Sequence, residues 1–250
     1  MKKFLFCILL LFITLSADLS IAADEETLII FDASVSMLEN FSGQPKYITA
    51  VEEAKTVLDA MDASKSIGLR TIGVPLDVSI LSFIQNPAEM CKATRLETPI
   101  SANNIQAVKS ALDRVFPLGT TPLTYALNTA VNYDFSPYAA LKHIILVTDG
   151  AESCNGDPCK YIRELMQTRR DIKIDIIAIG VNSEDFMQLK CLADSTTGSI
   201  INAQNKKELK NAFDSFLKPE FSSKLQPVYR NSNSQNSDII YRNYMFETYK

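Results

Sequence analysis

The chain has 250 residues, of which 46% are hydrophobic and 22% are charged, and its formal net charge at pH 7 is −4. This length is sufficient for a single domain with a well-buried core. The mildly acidic balance, without any block of lysine and arginine residues, is that of a poor nucleic-acid binder.

The first 23 residues have the layout of a secretory signal peptide. The chain begins with Met-Lys-Lys, continues with the apolar run FLFCILLLFITL and reaches the small residues Ala22 and Ala23. The apolar run is shorter than the about 20 residues that span a bilayer, and we expect no transmembrane segment in the mature chain. The sequence therefore predicts export to a periplasm or out of the cell, with an uncleaved N-terminal anchor as the alternative.

Five apolar runs are predicted to be β-strands. They are nearly continuously hydrophobic and rich in β-branched residues, as strands of a parallel sheet buried on both faces must be. In chain order they are TLIIF (27–31), IGLRTIG (67–73), HIILVT (143–148), KIDIIAIG (173–180) and SIINA (199–203).

Helical patterns separate these strands. The first has an apolar stripe at three- and four-residue steps, formed by Tyr47, Val51, Ala54, Leu58 and Met61. A second helix, for which Ser101 is the expected cap, has an apolar face of Ile105, Val108, Leu112 and Val115. Asp157 followed by Pro158 predicts a third helix start, as a cap followed by a first-turn proline. Asn205 with Glu208 predicts a fourth, as a capping-box pattern.

This alternation predicts an α/β fold, with a doubly wound, mostly parallel central sheet flanked by helices. Right-handed crossovers bring the carboxyl ends of the parallel strands to one edge, where ligand sites of such folds lie. We expect the domain to span residues 24–218, with an edge hairpin strand at Val78 to Ile84. Residues 219–250 are polar at first and aromatic near the end, and we expect a partly disordered tail.

Four cysteines remain after removal of the signal peptide: Cys91, Cys154, Cys159 and Cys191. An even number in an exported protein favours two disulfides, for which three pairings exist. Proximity in the sequence favours Cys154 with Cys159, which leaves Cys91 with Cys191. A four-cysteine zinc site is the alternative, but the spacing lacks paired C-x-x-C knuckles.

Oxygen-bearing side chains follow the ends of several predicted elements. Asp32, Ser34 and Ser36 come directly after the first strand at alternate positions, so their side chains can converge on one ion. Thr121 opens a predicted helix, and Asp149 ends the third predicted strand before a glycine expected to turn the backbone away. Two carboxylates and several hydroxyls, without sulfur or imidazole, predict a hard divalent cation, Mg²⁺ or Mn²⁺.

These motifs resemble those of the von Willebrand factor type A domain with its metal-ion-dependent adhesion site. The resemblance covers about residues 24 to 217 and rests on D-x-S-x-S after the first strand, on Thr-Pro-Leu at a helix start and on T-D-G at a strand end. The stretches TDGAESCNGDPC and LKCLADSTTG further resemble a bacterial exported branch of that family.

The resemblance implies five metal ligands, some acting through water: Asp32, Ser34, Ser36, Thr121 and Asp149. It also implies an open coordination position that accepts an Asp or Glu carboxylate of a protein or peptide partner. Thr120 is a second candidate for the threonine ligand, because only Gly119 precedes the threonine pair. Capping of helix starts by Ser34, Ser36 or Thr121 is the alternative reading of the hydroxyls.

The sequence favours a binding module over an enzyme. It has one histidine, His143, which is expected to be a packing residue, and it lacks the G-x-S-x-G and G-x-x-x-x-G-K-[ST] motifs. A metal-dependent phosphoryl-transfer enzyme would typically begin D-x-D, whereas Ser34 occupies the second position here. A structural subunit of an envelope or secreted assembly, with an incidental metal site, is the other alternative.

Overall fold

The computed structural model describes residues 25–74, 86–139 and 141–218. The predicted signal peptide, the predicted strand at Val78 to Ile84 and the tail from residue 219 lie outside the described residues. Within the described ranges, no helix has both the length and the apolar character needed to cross a bilayer.

The described residues form two sheets. The small one is an antiparallel pair of short strands, β2 (Asn40–Phe41) and β3 (Gln44–Pro45). The central sheet contains β1 (Glu25–Asp32), β4 (Ser66–Ile72), β5 (Thr94–Ser101), β6 (Leu141–Thr148), β7 (Ile172–Ile179) and β8 (Ile200–Ala203). Its order is β5-β4-β1-β6-β7-β8, and all neighbours are parallel except β4 and β5. The predicted doubly wound, mostly parallel sheet is therefore confirmed.

Helices cover both faces of the central sheet. They are α1 (Lys46–Leu58), α2 (Pro87–Met90), α3 (Ile105–Leu112), α4 (Leu123–Tyr133), α5 (Pro158–Leu165), α6 (Ser183–Ser195) and α7 (Lys206–Leu217), with a 3-10 helix at Val35–Leu38. Helices α1, α3 and α7 pack on one face, and α4, α5 and α6 on the other. Alternate residues of β1 supply both cores, because successive side chains of a strand point to opposite faces.

The position of β1 determines where a ligand can bind. After β1 the chain crosses to β4 on one side, and β6 to β8 are added on the other side. Loops that leave β1 and β6 therefore diverge above the carboxyl ends of two neighbouring strands. Such a topological switch point leaves a crevice in which open α/β sheets bind their ligands.

The edge strand β5 was missing from the sequence prediction. It is antiparallel to β4 and contains Pro99, which an edge strand tolerates because one side makes no ladder hydrogen bonds. Ser101 ends this strand, so its prediction as the cap of the following helix was wrong. Asn104 precedes that helix instead, and its amide donates to the carbonyl oxygens of Ile67 and Pro99.

The other two predicted helix starts are confirmed. The Asp157 carboxylate accepts a 2.9 Å hydrogen bond from the Lys160 backbone N–H, with Pro158 as the first residue of α5. The Asn205 side chain accepts from the Glu208 backbone N–H at the start of α7. Both caps fix the point at which a loop becomes a helix.

Candidate metal centre

The loop after β1 fixes the side chain of Asp32. Its Oδ1 accepts a 2.8 Å hydrogen bond from the backbone N–H of Ser34, and its Oδ2 accepts a 2.6 Å bond from the hydroxyl of Thr148. Asp32 is fully buried. The two bonds leave the carboxylate little freedom to rotate, and they connect the ends of β1 and β6.

Burial dominates the electrostatics of Asp32. Loss of hydration, followed by the negative charge of Asp149, raises the pKa of Asp32 to about 6, although the bonds from Thr148 and Ser34 act in the opposite direction. Two carboxylates thus share a poorly hydrated place at the edge of the sheet. Such a pair favours a cation beside it.

Two serine hydroxyls connect the loop after β1 to the end of β6. The Oγ atoms of Ser34 and Ser36 are 2.9 Å apart, and Ser36 Oγ donates a 2.8 Å hydrogen bond to Asp149 Oδ1. Ser34 and Asp149 are buried, and Ser36 is partly exposed. Four of the five predicted ligands are therefore connected by a chain of short polar contacts that runs from Asp32 through Ser34 and Ser36 to Asp149.

The fifth predicted ligand comes from the loop before α4. Gly119 pairs with Ser34 as a parallel bridge, and the Val35 backbone N–H donates to the Gly119 carbonyl oxygen. Two residues later, the backbone N–H of Thr121 donates a 2.8 Å hydrogen bond to Ser153 Oγ in the loop after β6. These contacts bring Thr121 to the same edge of the sheet as the serines.

The two candidate threonines differ in what their hydroxyls do. The Thr120 hydroxyl donates a 3.0 Å bond to the Met90 carbonyl oxygen and lies 3.3 Å from Cys154 Sγ. Within the described residues, the Thr121 hydroxyl makes no hydrogen bond, although the residue is only 5% exposed. Of the two threonines, Thr121 is therefore the one whose hydroxyl no other described residue engages.

The capping alternative does not account for these hydroxyls. Ser34 precedes the 3-10 helix and Pro122 precedes α4, and neither start has a side-chain cap hydrogen bond. The Thr124 backbone N–H at the start of α4 donates instead to Glu152, which also accepts from the Thr124 hydroxyl and the Cys154 N–H. Glu152 therefore secures the start of α4.

Close backbone packing holds the loops of the site together. Gly73 has a φ of +82°, and a Cβ there would lie 2.8 Å from the Ala33 carbonyl oxygen. A Cβ at Gly119 would lie 2.5 Å from the Gly73 carbonyl oxygen. The backbone bends at Gly150, as predicted, but Gly150 has no left-handed backbone and an added Cβ would meet open space, so the bend does not require glycine.

The sequence prediction did not include Lys46, the first residue of α1. Its Nζ lies 2.8 Å from Asp149 Oδ2 and 2.6 Å from Glu39 Oε2. Burial lowers the pKa of Lys46, but the hydrogen bonds to Asp149 and Glu39 outweigh this effect and raise the pKa. A signal was present in the sequence, because a cation at a helix N-terminus opposes the helix dipole and calls for a compensating partner.

Both disulfides exist, but the favoured pairing was wrong. Cys91 pairs with Cys154, and Cys159 pairs with Cys191. Cys159 lies in α5, which packs against α6 containing Cys191, whereas Cys154 lies in the loop after β6. The helix start at Pro158 thus separates two cysteines that are close in sequence. The pairing also rules out a four-cysteine zinc site.

Across the described residues, no group of three or more His, Cys, Asp and Glu side chains could hold a metal ion. The cluster above has a different composition, because three of its five side chains, those of Ser34, Ser36 and Thr121, are hydroxyls. His143 lies near the beginning of β6, away from the carboxyl-end cluster, between Glu25 Oε1 at 3.1 Å and Asp175 Oδ2 at 2.8 Å.

Comparison with known proteins identifies a family and several similar folds. The family model for the von Willebrand factor type A domain matches residues 28–215. The uncharacterized protein YwmD of Bacillus subtilis (strain 168) is 24% identical over 193 residues, which cover 77% of this chain and 84% of YwmD.

Two solved structures illustrate the shared fold. The von Willebrand factor domain of the type V pili tip protein Mfa5 from Porphyromonas gingivalis has a TM-score of 0.57 at 12% identity, covering 85% of this chain and 98% of that one. Proximal thread matrix protein 1 from the mussel byssus, with a zinc-occupied MIDAS motif, has a TM-score of 0.58 at 17% identity. The match covers 79% of this chain and 46% of the mussel chain. The chain belongs to the von Willebrand factor type A domain family.

Proposed function

We propose that this protein is an exported binding module that recognises a protein or peptide partner through a divalent cation. The cation, Mg²⁺ or Mn²⁺, would be held by Asp32, Ser34, Ser36, Thr121 and Asp149. The observation that carries the proposal is the convergence of two buried carboxylates and two serine hydroxyls at the switch point of the sheet.

The spacing of the serine oxygens fits such an ion. Two ligands at right angles on an octahedral Mg²⁺, each about 2.0–2.1 Å from the metal, lie about 2.9 Å apart. The Oγ atoms of Ser34 and Ser36 are 2.9 Å apart. Hydroxyl and carboxylate oxygens are also the ligand types that hard cations prefer.

Each residue has a distinct part in this proposal. The hydroxyls of Ser34, Ser36 and Thr121 supply neutral oxygens, and the carboxylates of Asp32 and Asp149 supply the negative charge. When bound, the cation supplies a Lewis-acid position that takes a carboxylate oxygen from a partner's Asp or Glu. Val35, between the two serines, is 53% exposed and is available to contact a partner beside that position.

Export has two independent lines of support. Residues 1–23 have the layout of a signal peptide, and the domain contains two disulfides. Disulfides persist in oxidising compartments and are rare in the cytosol. We infer a periplasmic or extracellular location.

Thermal unfolding with EDTA, Mg²⁺ or Mn²⁺ tests the metal site. A metal that binds only the folded state at a hundred times its Kd should raise Tm by about 5–10 °C in a domain of this size. Asp32→Ala and Thr121→Ala should lose this rise, whereas the matched control Thr120→Ala should keep it. Equal behaviour of the two threonine variants would contradict the assigned ligand set.

Capture of exported proteins from the native source in Mg²⁺ or EDTA tests the binding function. Adhesion-type binding should require the metal and should be lost in Asp149→Ala. Capture that is unchanged in Asp149→Ala and in EDTA would instead favour a structural subunit with an incidental metal site.

Hydrolysis of p-nitrophenyl phosphate with Mg²⁺ tests the enzyme alternative. Ser34 stands where a second aspartate would supply acid and base chemistry, so we expect no turnover. Turnover that disappears in Asp32→Asn would overturn the binding-module proposal.

A further inference from the structure

An ammonium group occupies the approach to the candidate metal centre. Lys46 is 8% exposed, and its Nζ connects the fully buried side chain of Asp149 to the side chain of Glu39, which is 67% exposed. The ammonium therefore lies between a carboxylate inside the site and a carboxylate at its solvent boundary.

Placing the Lys46 ammonium here would reduce the stability of the fold if Asp149 were not beside it. A lysine in the first turn of α1 opposes the positive end of the helix dipole, and burial removes hydration from its ammonium. A nearby carboxylate offsets both costs. The buried pair of Asp32 and Asp149 provides the negative charge that keeps a cation at this place.

Both oxygens of Asp149 are in use. Oδ1 accepts from the Ser36 hydroxyl, and Oδ2 accepts from the Lys46 ammonium. A divalent cation at the serine hydroxyls would draw on the same negative charge, directly or through water. It would also be repelled by the positive charge of Lys46, whose ammonium contacts the same carboxylate.

We infer that Lys46 is a built-in competitor of the divalent cation at Asp149, and that Glu39 holds the ammonium when the cation binds. This inference rests on the proposed metal site. It implies that the affinity for metal is set by the exchange of Lys46 between two carboxylates. The same ligands without Lys46 nearby would bind the metal more tightly than this chain does.

Calorimetric titration of the mature protein with Mg²⁺ alone tests this exchange. Lys46→Met should bind Mg²⁺ at least about tenfold more tightly than wild type, because the competing charge is gone. Glu39→Gln should bind about threefold more weakly, a size typical of an exposed charge pair, because the displaced ammonium then has no second partner. Lys190→Met, which removes a lysine from an exposed pair with Asp194, should bind like wild type.

The double variant separates competition from a general charge effect. If Glu39 acts by holding Lys46, Glu39→Gln should have little effect in the Lys46→Met background. An equal weakening in both backgrounds would mean that Glu39 acts only through its charge, and it would overturn the exchange. Glu39→Gln also keeps the test valid if Lys46→Met does not fold, because unchanged or tighter Mg²⁺ binding in this variant contradicts the inference.

The outcomes also separate this inference from the proposed function. Equal Mg²⁺ affinities of wild type and Lys46→Met, with binding abolished in Asp32→Ala, would overturn competition and leave the metal site intact. Binding by Lys46→Met but not by wild type would support competition in its strongest form. Failure of both folded proteins to bind Mg²⁺ would overturn the metal site and the competition together.

Discussion

The hydroxyl of Thr148 donates a 2.6 Å hydrogen bond to Asp32 Oδ2, so the ends of β1 and β6 are joined by the side chain at the centre of the candidate site. The Thr148 oxygen also lies 2.8 Å from the Gly150 carbonyl oxygen, which is the alternative acceptor of its single proton. These contacts fix a buried carboxylate that has little water around it. Burial of this carboxylate costs stability in the metal-free fold, and the cation proposed above would offset that cost.

Asp32→Asn should therefore stabilise the metal-free protein at neutral pH. The folded-state pKa of about 6 exceeds the ordinary aspartate value of 3.8, so wild type loses stability as pH rises through about 6, by about 3 kcal/mol in total. Urea unfolding in EDTA at pH 7 should show a gain of about 1–3 kcal/mol for Asp32→Asn, and the gain should shrink toward pH 4.

Asp194→Asn, which removes a carboxylate from an exposed pair, is the control for this comparison and should change stability by less than about 0.5 kcal/mol. A metal-free Asp32→Asn that is less stable than wild type at pH 7 would show that the hydrogen bonds of the carboxylate outweigh its desolvation.

His143, near the beginning of β6 and away from the candidate site, should make the stability of the fold depend on pH in a second way. Burial lowers the pKa of His143, but its contacts with Asp175 and Glu25 outweigh burial and raise it above 6.5. The stability from the charged imidazole is thus fully present below about pH 6.5 and is lost as pH rises through the folded-state pKa.

Unfolding free energies of wild type and His143→Gln between pH 6 and 9, in EDTA, check this prediction. The difference in favour of wild type should be largest at pH 6 and should decline with rising pH. Parallel curves would show that the histidine only packs, as the sequence suggested.

The ion pair of Arg70 and Asp134 should be sensitive to the loss of one partner. Arg70 Nε and Nη2 donate to the two Asp134 oxygens at 2.6 and 2.7 Å, and both side chains are nearly inaccessible. Arg70→Met leaves the carboxylate buried without a cation, and we expect a loss of about 3–5 kcal/mol in urea unfolding.

Lys190→Met removes one partner of an exposed pair and is the matched control, with an expected change below about 0.5 kcal/mol. If Arg70→Met lost no more stability than Lys190→Met, water would be stabilising the Asp134 charge in place of the arginine. Arg70→Lys should recover only part of the loss, because lysine lacks the planar fork.

The two disulfides should differ in their effect on the metal response. Removing either bond, by Cys91→Ser with Cys154→Ser or by Cys159→Ser with Cys191→Ser, should cost about 2–5 kcal/mol of stability. The first bond adjoins the loop that positions Thr121, since Cys154 directly follows Ser153, whose Oγ accepts from the Thr121 backbone N–H. We expect a weaker Mg²⁺-induced rise in Tm for the first pair of substitutions alone.

Peptide mapping of the non-reduced protein checks the connectivity directly. The peptide with Cys91 should be linked to the peptide with Cys154, and Cys159 to Cys191. An equal Mg²⁺ response in both double-serine variants would show that neither disulfide positions the site.

The sequence was informative where periodicity and position determine the structure. The apolar runs around Ile29 and Ile145 predict buried parallel strands, and the topology then brings Asp32 and Asp149 to one edge. The alternate spacing of Ser34 and Ser36 likewise anticipated their convergence. These inferences need only local pattern and the handedness of crossovers.

The remaining features depend on contacts between distant segments. The disulfide partner of Cys91 follows from how the loop before β5 packs against the loop after β6, which local spacing does not reveal. Lys46 meets Asp149 across 103 residues of sequence, and nothing in its own neighbourhood identifies that partner. Edge strand β5 was hidden by Pro99, because a proline is normally evidence against a strand.

The packing of Gly73 against Ala33 and Gly119 has a consequence for mutational tolerance. In a library selected only for folding, the predicted hydroxyl ligands Ser34, Ser36 and Thr121 should accept several replacements, whereas these two glycines should accept almost none, since any side chain would collide with main-chain atoms. The least replaceable positions around the candidate site would then be two residues that touch neither metal nor partner. A variant that has lost the metal could consequently keep the shape of the site and remain one or two substitutions from regaining it.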